Sequence, residues 1–452
     1  MLLICVLTMS VMTTTAVAED ANETDMDSVF AGFDDAGDDS VFSEFDEFED
    51  ANEPEQSMSL FGLPIEVHGF YEMRAGYRTN NDPFEKDMSI MENRLQIEAF
   101  SQLDWAELKF KGDMVGDMVT EEAYFDLREA YIFTSPTDFM DLKVGRQVLT
   151  WGTGDLVFIN DLFPKDWQSF FIGRDVEYLK APSDAAKASF FSDLANLDLV
   201  FTPQFDADRF ITGERISFYN PILGRVSGND DPLADDKPDR WFRDYEIAAR
   251  LYRNISNYEL ALYGYWGYWK SPGGFDNQGT AIFPRLNVYG ASVRGGIGKG
   301  IGNIEVGYYE SIDDAGGTDP MINNSQFRYL LGYTQEIAKD FSGGMQYYVE
   351  QMQNYGAYRD NLGSARAADR ARHVLTFRLT KLMMNQNLIL SLFTYYSPNE
   401  KDAYLRPNVH YKATDNISLE LGSNVFFGQR RDTFFGQFQD NSNIYVSMRY
   451  NF

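Results

Sequence analysis

The chain has 452 residues, 44% of them hydrophobic and 15% aromatic, and a formal net charge of −30. Beyond the first few residues no stretch approaches the roughly 18 to 20 consecutive apolar residues of a membrane helix, and the negative charge disfavours nucleic acid as a partner. The composition still fits a transmembrane β-barrel, because lipid-facing and lumen-facing residues alternate and cancel in a sliding window.

Residues 1–18 read as a signal peptide: an apolar run from Leu2 to Leu7, then Ala16, Val17 and Ala18 with small residues at the first and third of these positions. The run lacks the usual Lys or Arg ahead of it. Cys5, the only cysteine, lies within the leader, so the mature chain is expected to hold no disulfide, thiolate metal site or cysteine nucleophile. From Glu19 to Leu60 follow 16 Asp or Glu and no Lys or Arg. Such a block cannot bury enough apolar surface to offset chain entropy, so residues 19–62 are expected to form a disordered, periplasmic acidic tail. Within it Asp27-Ser28-Val29-Phe30-Ala31-Gly32-Phe33-Asp34 returns twelve residues later as Asp39-Ser40-Val41-Phe42-Ser43-Glu44-Phe45-Asp46. Phe30, Phe33, Phe42 and Phe45 on an acidic string suit a short motif for a periplasmic or inner-membrane transport partner. A solvated tether with incidental phenylalanines fits equally well.

From residue 63 to 452 the pattern alternates. Ile65, Val67, Tyr71, Met73, Ala75 and Tyr77 oppose Glu66, His68, Glu72, Arg74 and Arg78. Leu95, Ile97 and Ala99, and then Leu108, Phe110 and Met114, face Arg94, Glu98, Lys109, Lys111 and Asp113. Similar apolar sets recur through Leu142, Ala186, Leu197, Ile247, Leu260, Ile304, Phe327, Met345, Leu375, Leu388, Val409 and Ile417. Two segments, around Tyr124 to Thr134 and Leu286 to Gly296, read as strands of unassigned facing. The last strand carries Ile444, Val446, Met448, Tyr450 and Phe452 on one side, with Arg449 on the other. It resembles the closing strand of outer-membrane barrels and is expected to pair with the strand beginning near Ile65.

These make eighteen candidate strands of roughly ten residues, the length that crosses a bilayer at a tilt. Links at 102–105, 135–138, 193–196, 254–257 and 413–416 are short, while those at 150–184, 206–243, 269–285 and 353–369 are long. That rhythm predicts an all-β fold, a transmembrane antiparallel β-barrel in the outer membrane of a Gram-negative cell. Short turns and both termini are expected in the periplasm.

The tail and the long links, notably 229–239 and 313–319, hold most of the acidic excess, and the lumen faces are roughly balanced. A balanced wall is either a wet channel with a transverse field or a set of mutual ion pairs. The third long link carries Trp151, Asp155, Phe158, Asp161, Phe163, Lys165, Trp167, Phe170, Phe171 and Arg174. So many large apolar groups predict a loop folded into the lumen as a constriction; packing on neighbouring loops is the competing reading.

Asn93-Arg94-Leu95, Gly112-Asp113, Leu127-Arg128-Glu129-Ala130-Tyr131 and Val144-Gly145-Arg146-Gln147 occur in this order. In them the sequence resembles the N-terminal half of alginate-export-type outer-membrane porins over roughly residues 90–160. The resemblance implies an eighteen-stranded barrel with Arg94, Arg128 and Arg146 lining the pore and Asp113 and Glu129 pairing with them. After Trp151 the pattern departs, and the acidic tail has no counterpart. Arg74 and Arg174 complete the expected pore set.

His68, His373 and His410 stand far apart in the sequence, and there is no Gly-x-Ser-x-Gly, so neither an enzyme nor a metal site is expected. Asp230, Asp231, Asp235, Asp236, Asp313, Asp314 and Asp319 read as solvated loop residues rather than a calcium loop. The expectation is a cofactor-free porin-like channel for small or anionic solutes or polysaccharide, set in outer-membrane lipid and compatible with homo-oligomers. The alternative is the exit component of an export system recruited through the tail.

Overall fold

The computed structural model describes residues 57–60, 63–363 and 366–452. The expected leader, the tail to residue 56 and its Phe30, Phe33, Phe42 and Phe45 lie outside the described residues. Eighteen long strands form the wall. They are β1 (Leu63–Arg78), β2 (Met88–Gln102), β3 (Glu107–Asp117), β4 (Glu122–Thr137), β5 (Met140–Val148) and β6 (Pro182–Phe190). Next come β7 (Asn196–Thr202), β8 (Glu246–Ile255), β9 (Tyr258–Tyr268), β10 (Arg285–Ile297), β11 (Gly300–Ser311) and β12 (Gln326–Ala338). The wall ends with β13 (Phe341–Met352), β14 (Ala371–Met383), β15 (Leu388–Ser397), β16 (Asp402–Lys412), β17 (Ile417–Gly428) and β18 (Asn443–Asn451). Each pairs antiparallel with its chain neighbours, and β18 pairs with β1 from Phe70↔Asn451 to Arg78↔Asn443, closing the barrel.

Alternation sets the two faces. Tyr71, Met73 and Tyr77 are exposed on the outside while Glu72, Arg74 and Arg78 are buried inside. On β18, Ile444, Val446, Met448, Tyr450 and Phe452 are likewise exposed and Tyr445 is buried. An outward apolar surface around a charged interior is the inverse of a soluble protein and defines a transmembrane barrel.

Both segments of unassigned facing have a physical explanation. In β4 the register slips between Lys111↔Glu129 and Gly112↔Leu127, leaving Arg128 as the extra residue of a β-bulge. Side chains therefore keep one parity through Asp126 and the other from Glu129. In β10, Leu286 and Val288 are buried inside whereas Tyr289 and Val293 are exposed, and Val288 is covered by the apolar side chains of Trp151, Leu162 and Phe163.

Links alternate as expected, with two exceptions: 118–121 and 398–401, on the long-loop side, are as short as turns. The start of β1 and Phe452 lie together at the short-turn end, where Gly69 and Phe452 exchange backbone hydrogen bonds of 3.0 and 2.9 Å. Just beyond, Ser57–Leu60 pairs with β1 from Leu60↔Leu63 to Ser57↔Glu66, continuing the edge that β18 leaves uncovered. A Cβ at Gly69 would strike the Gln96 carbonyl oxygen and stand 2.9 Å from the Phe452 ring, so the glycine makes room for both. Deleting Phe452 removes two backbone hydrogen bonds and is expected to cost about 2 kcal/mol at ~1 kcal/mol each. A lowered urea midpoint of the micelle-borne protein checks this.

Candidate functional site

The third long loop, residues 149–181, touches nearly the whole circumference of the inner wall. Its first part crosses to β11. Glu305 is fully buried and accepts from Thr153 N (2.9 Å), Thr153 Oγ1 (3.1 Å), Asn160 N (2.7 Å) and Asn160 Nδ2 (2.9 Å). Asp155 forms a bidentate pair with Arg378 of β14 at 2.5 and 2.6 Å, and its backbone N–H donates to Gln346 of β13 at 2.8 Å. Leu156, held at φ 55°, offers its carbonyl to the Tyr395 hydroxyl at 2.6 Å. A buried leucine in the left-handed region is strained, and these anchors on either side hold it there.

The loop then forms a short helix, α1 (Trp167–Ile172), whose N-cap Asp166 accepts from Ser169 N at 2.7 Å. Phe170 and Phe171 wedge edge-on against Tyr404 of β16, with ring centroids 5.7 and 5.6 Å away. Gly173 ends the helix at φ +94°; a Cβ there would strike the Tyr445 ring.

The returning part is held by cations. Arg74 donates to Gly173 O at 2.7 Å, Arg406 to Arg174 O at 2.8 Å, and Arg128 to Lys180 O at 2.7 Å. Arg174 pairs with Glu92 of β2 at 2.5 Å and reaches Tyr124 Oη at 3.0 Å. Arg94 pairs with Asp113 at 2.5 Å and lies 4.2 Å above the Tyr178 ring, whose hydroxyl donates to Asp113 at 2.9 Å. Arg449 joins Glu72 and Asp175, each at 3.2 Å.

The structure thus gathers Arg74, Arg94, Asp113, Arg128 and Arg174 around the loop. Glu129 pairs with Lys109 at 3.4 Å instead of with an arginine. Arg146 stands apart: it pairs with Asp184 at 3.3 Å and by register shares the parity of Val144, which is exposed on the outer face. Trp151 packs edge-on against Phe163 at 5.0 Å, and Trp167 Nε1 donates to Asp208 at 3.1 Å. Asp161 accepts from Thr150 Oγ1 and Lys165 Nζ, both at 2.8 Å.

Sequence reading missed Glu305, Glu92, Arg378, Tyr178 and the fourth loop, 203–245. Alternation places Glu305 inside, between Ile304 and Val306, but nothing local names partners some 150 residues away. The fourth loop locks the third from above. Arg209 binds Asp126 at 2.7 Å and Asp166 at 3.3 Å, and Arg215 is paired to Asp117 and, at 3.3 Å, to Glu92. Burial pulls the Lys165 ammonium below its usual range against the opposing pull of Asp161, and pushes the Asp208 carboxyl up. Burial alone would lower Arg174 as well, but Glu92 holds it above the ordinary guanidinium value. Below the loop the inner wall is more open, with Glu98, Lys109, Lys111 and Lys187 partly exposed on β2, β3 and β6.

Among the described residues no group of His, Cys, Asp and Glu is arranged to hold a metal ion. His373 Nδ1 meets Tyr347 Oη at 2.7 Å, and Asp314 accepts from Thr318 N and Asp319 N at 3.0 and 2.9 Å as a loop cap.

No protein-family model matches the sequence, and no curated protein matches it either. Solved structures do resemble it in fold. Acinetobacter baumannii OccAB3 is 9% identical over 86% of this chain and 99% of its own, with a TM-score of 0.53. Pseudomonas aeruginosa OccD3 (OpdP) is 11% identical over 88% and 95%, with a TM-score of 0.50. A mutant of the Rh. blastica porin aligns over 86% and 100% at 12% identity, with a TM-score of 0.39. The first two share the barrel architecture.

Two outcomes follow from the geometry. Arg174→Ala removes the guanidinium nearest to buried Glu92, which keeps Arg94 and Arg215, each at 3.3 Å, and is expected to cost about 1.5–3 kcal/mol, as for hydrogen bonds lost to a charged group; urea unfolding measures the destabilisation, and hydrogen exchange locates it in 167–181. Burial pushes the Glu85 carboxyl of the first loop up to about 7, against Arg78 and with Asp82 and Asp230 adding to the rise. With its folded value above the unfolded 4.5, ionisation on going from pH 5 to 8 penalises the buried placement of Glu85 beside Asp82 and Asp230, although the Asn229 N–H that donates to it opposes the rise, so the local packing that shields this amide opens more easily. That amide is therefore expected to exchange faster, relative to intrinsic rates, at pH 8 than at pH 5, and Glu85→Gln should remove the difference.

Proposed function

We propose that this protein is an outer-membrane channel of porin type, passing small polar solutes by diffusion, with short turns and both termini in the periplasm. The observation that carries the reading is the third loop anchored across the lumen of a closed barrel. A transmembrane wall with an apolar exterior needs no such internal structure unless passage through it is to be narrowed. Porin-type architecture in the two solved neighbours agrees with this. In this reading the arginines act chiefly by holding the loop in place, and the loop sets the size limit. Solutes meet the mixed Lys and Glu wall below it, where Lys109, Lys111 and Lys187 alternate with Glu98, Glu129 and Asp198. Neither sign dominates there, so weak charge selectivity is expected, and nothing favours alginate as the solute.

The twelve-residue duplication at Asp27–Asp34 and Asp39–Asp46 supports a second reading, an exit duct whose partner docks on the tail. Deleting 27–46 separates the two: unchanged conductance with loss of a co-purifying periplasmic partner favours the duct.

Purified full-length protein in planar bilayers should show stepwise conductance. Arg378→Gln frees Asp155 from its bidentate clamp and is expected to raise open-channel noise and conductance with the barrel intact. A protein that never conducts at any voltage contradicts the channel reading.

A further inference from the structure

At the upper end of the wall the fourth loop re-enters β8 through the turn Arg240-Trp241-Phe242-Arg243. Phe242 sits at φ 59°, a region that glycine or asparagine fills readily and a bulky aromatic does not. It is also 70% exposed, so little protein packing offsets the strain. Its N–H donates to Pro203 O at 2.7 Å, which fixes the turn, and its ring lies nearly parallel to that of Phe201, 6.5 Å away. Phe201 in turn meets Tyr245 at 6.0 Å, and Trp241 meets Phe242 at 5.9 Å. Phe201 and Tyr245 belong to the outward face of β7 and the approach to β8, so the four rings extend the apolar exterior past the end of the sheet. Arg240 and Arg243 flank them, both exposed, and among the described residues neither guanidinium has a carboxylate partner. Asp244, the neighbouring acid, is engaged by the Arg240 N–H at 3.0 Å and by Tyr268 Oη at 3.4 Å.

We infer that this turn is a docking surface for a phosphorylated glycolipid of the outer leaflet. Rings continuous with the lipid-facing wall enter the acyl and headgroup boundary, where aromatic side chains concentrate. Two guanidiniums beside them take up phosphate oxygens through forked donors. A turn strained to project an aromatic outward, between two unpaired cations, is matched by a ligand that is apolar at one end and anionic at the other.

The inference rests on the outer-membrane placement proposed above. Conductance recorded on the same variants keeps the two apart, since loss of lipid binding with normal channels concerns this turn alone. The test is native mass spectrometry of the full chain in detergent, titrated with a bisphosphorylated glucosamine lipid, the same lipid without phosphates, and inorganic phosphate. Retention of the phosphorylated lipid is expected, with the Arg240→Gln/Arg243→Gln pair weakening it by roughly 10- to 30-fold, in line with two charges at an anionic surface. Phe242→Gly, which relieves the backbone and removes the ring, should weaken both lipids while leaving the barrel folded. Equal retention of the dephosphorylated lipid, unchanged affinity in the arginine pair, or displacement of the lipid by inorganic phosphate would overturn it.

Discussion

A loop that enters a barrel leaves behind the water that would otherwise satisfy its backbone, and this constraint governs the interior. Each peptide group of 149–181 that does not pair within the loop must find a partner on the wall, since an unpaired buried polar group costs roughly 1–3 kcal/mol. The wall supplies both kinds. Glu305 gathers donors from Thr153 and Asn160, while Arg74, Arg128, Arg406 and Tyr395 donate to carbonyls of Gly173, Lys180, Arg174 and Leu156. Arginine suits this task because its planar fork serves a carbonyl and a carboxylate at once, as Arg74 does between Gly173, Glu72 and Glu420.

Those commitments change what an arginine-rich lumen means. A guanidinium bound to a buried carboxylate and a loop carbonyl is not free to escort an anion, whatever its position on the inner face. The wall is largely the ion-paired one of the two arrangements that composition left open. Isolated buried pairs often add little net stability, because the desolvation of two charges offsets their attraction. Their consequence here is positional: a shifted loop leaves charges such as Arg378 without the carboxylate that meets them, so the loop has few alternative placements at comparable energy. In the channel reading proposed above, selectivity by size rests on the fixed loop, and selectivity by charge on residues outside this network.

Strand existence was legible throughout, since period-two alternation is a local signal and each of the eighteen segments carries its own copy. Facing was lost where locality fails, apart from Arg146, which the family resemblance placed in the pore against the alternation through Leu142 and Val144. One extra residue at Arg128 flips the parity of β4, and a bulge has no signature in a sequence that alternates on both sides of it. In β10 the lumen face turns apolar at Val288 because Trp151, Leu162 and Phe163 cover it from a loop more than a hundred residues earlier. Partners were less legible than positions. Asp113 does meet Arg94 and Tyr178, which a neighbouring strand and the loop bring to it, but Glu129 meets Lys109, a contact fixed by the same bulge that hid the facing.

The two loops that fill the upper barrel are coupled, and the coupling explains why so many charges are buried there. Asp166 caps α1 of the third loop and also pairs with Arg209 of the fourth; Glu92 receives Arg174 from the third and Arg215 from the fourth. Neither loop could order alone without stranding a carboxylate of the other or of the wall. Their ordering should therefore be cooperative, with the fourth loop acting as a clasp over the third. The same fourth loop leaves the barrel through Phe242, so the segment that clasps the third loop also reaches the rim of the apolar exterior. A pull on that turn would be transmitted through a continuous stretch of chain to Arg209 and Arg215, and from them to α1.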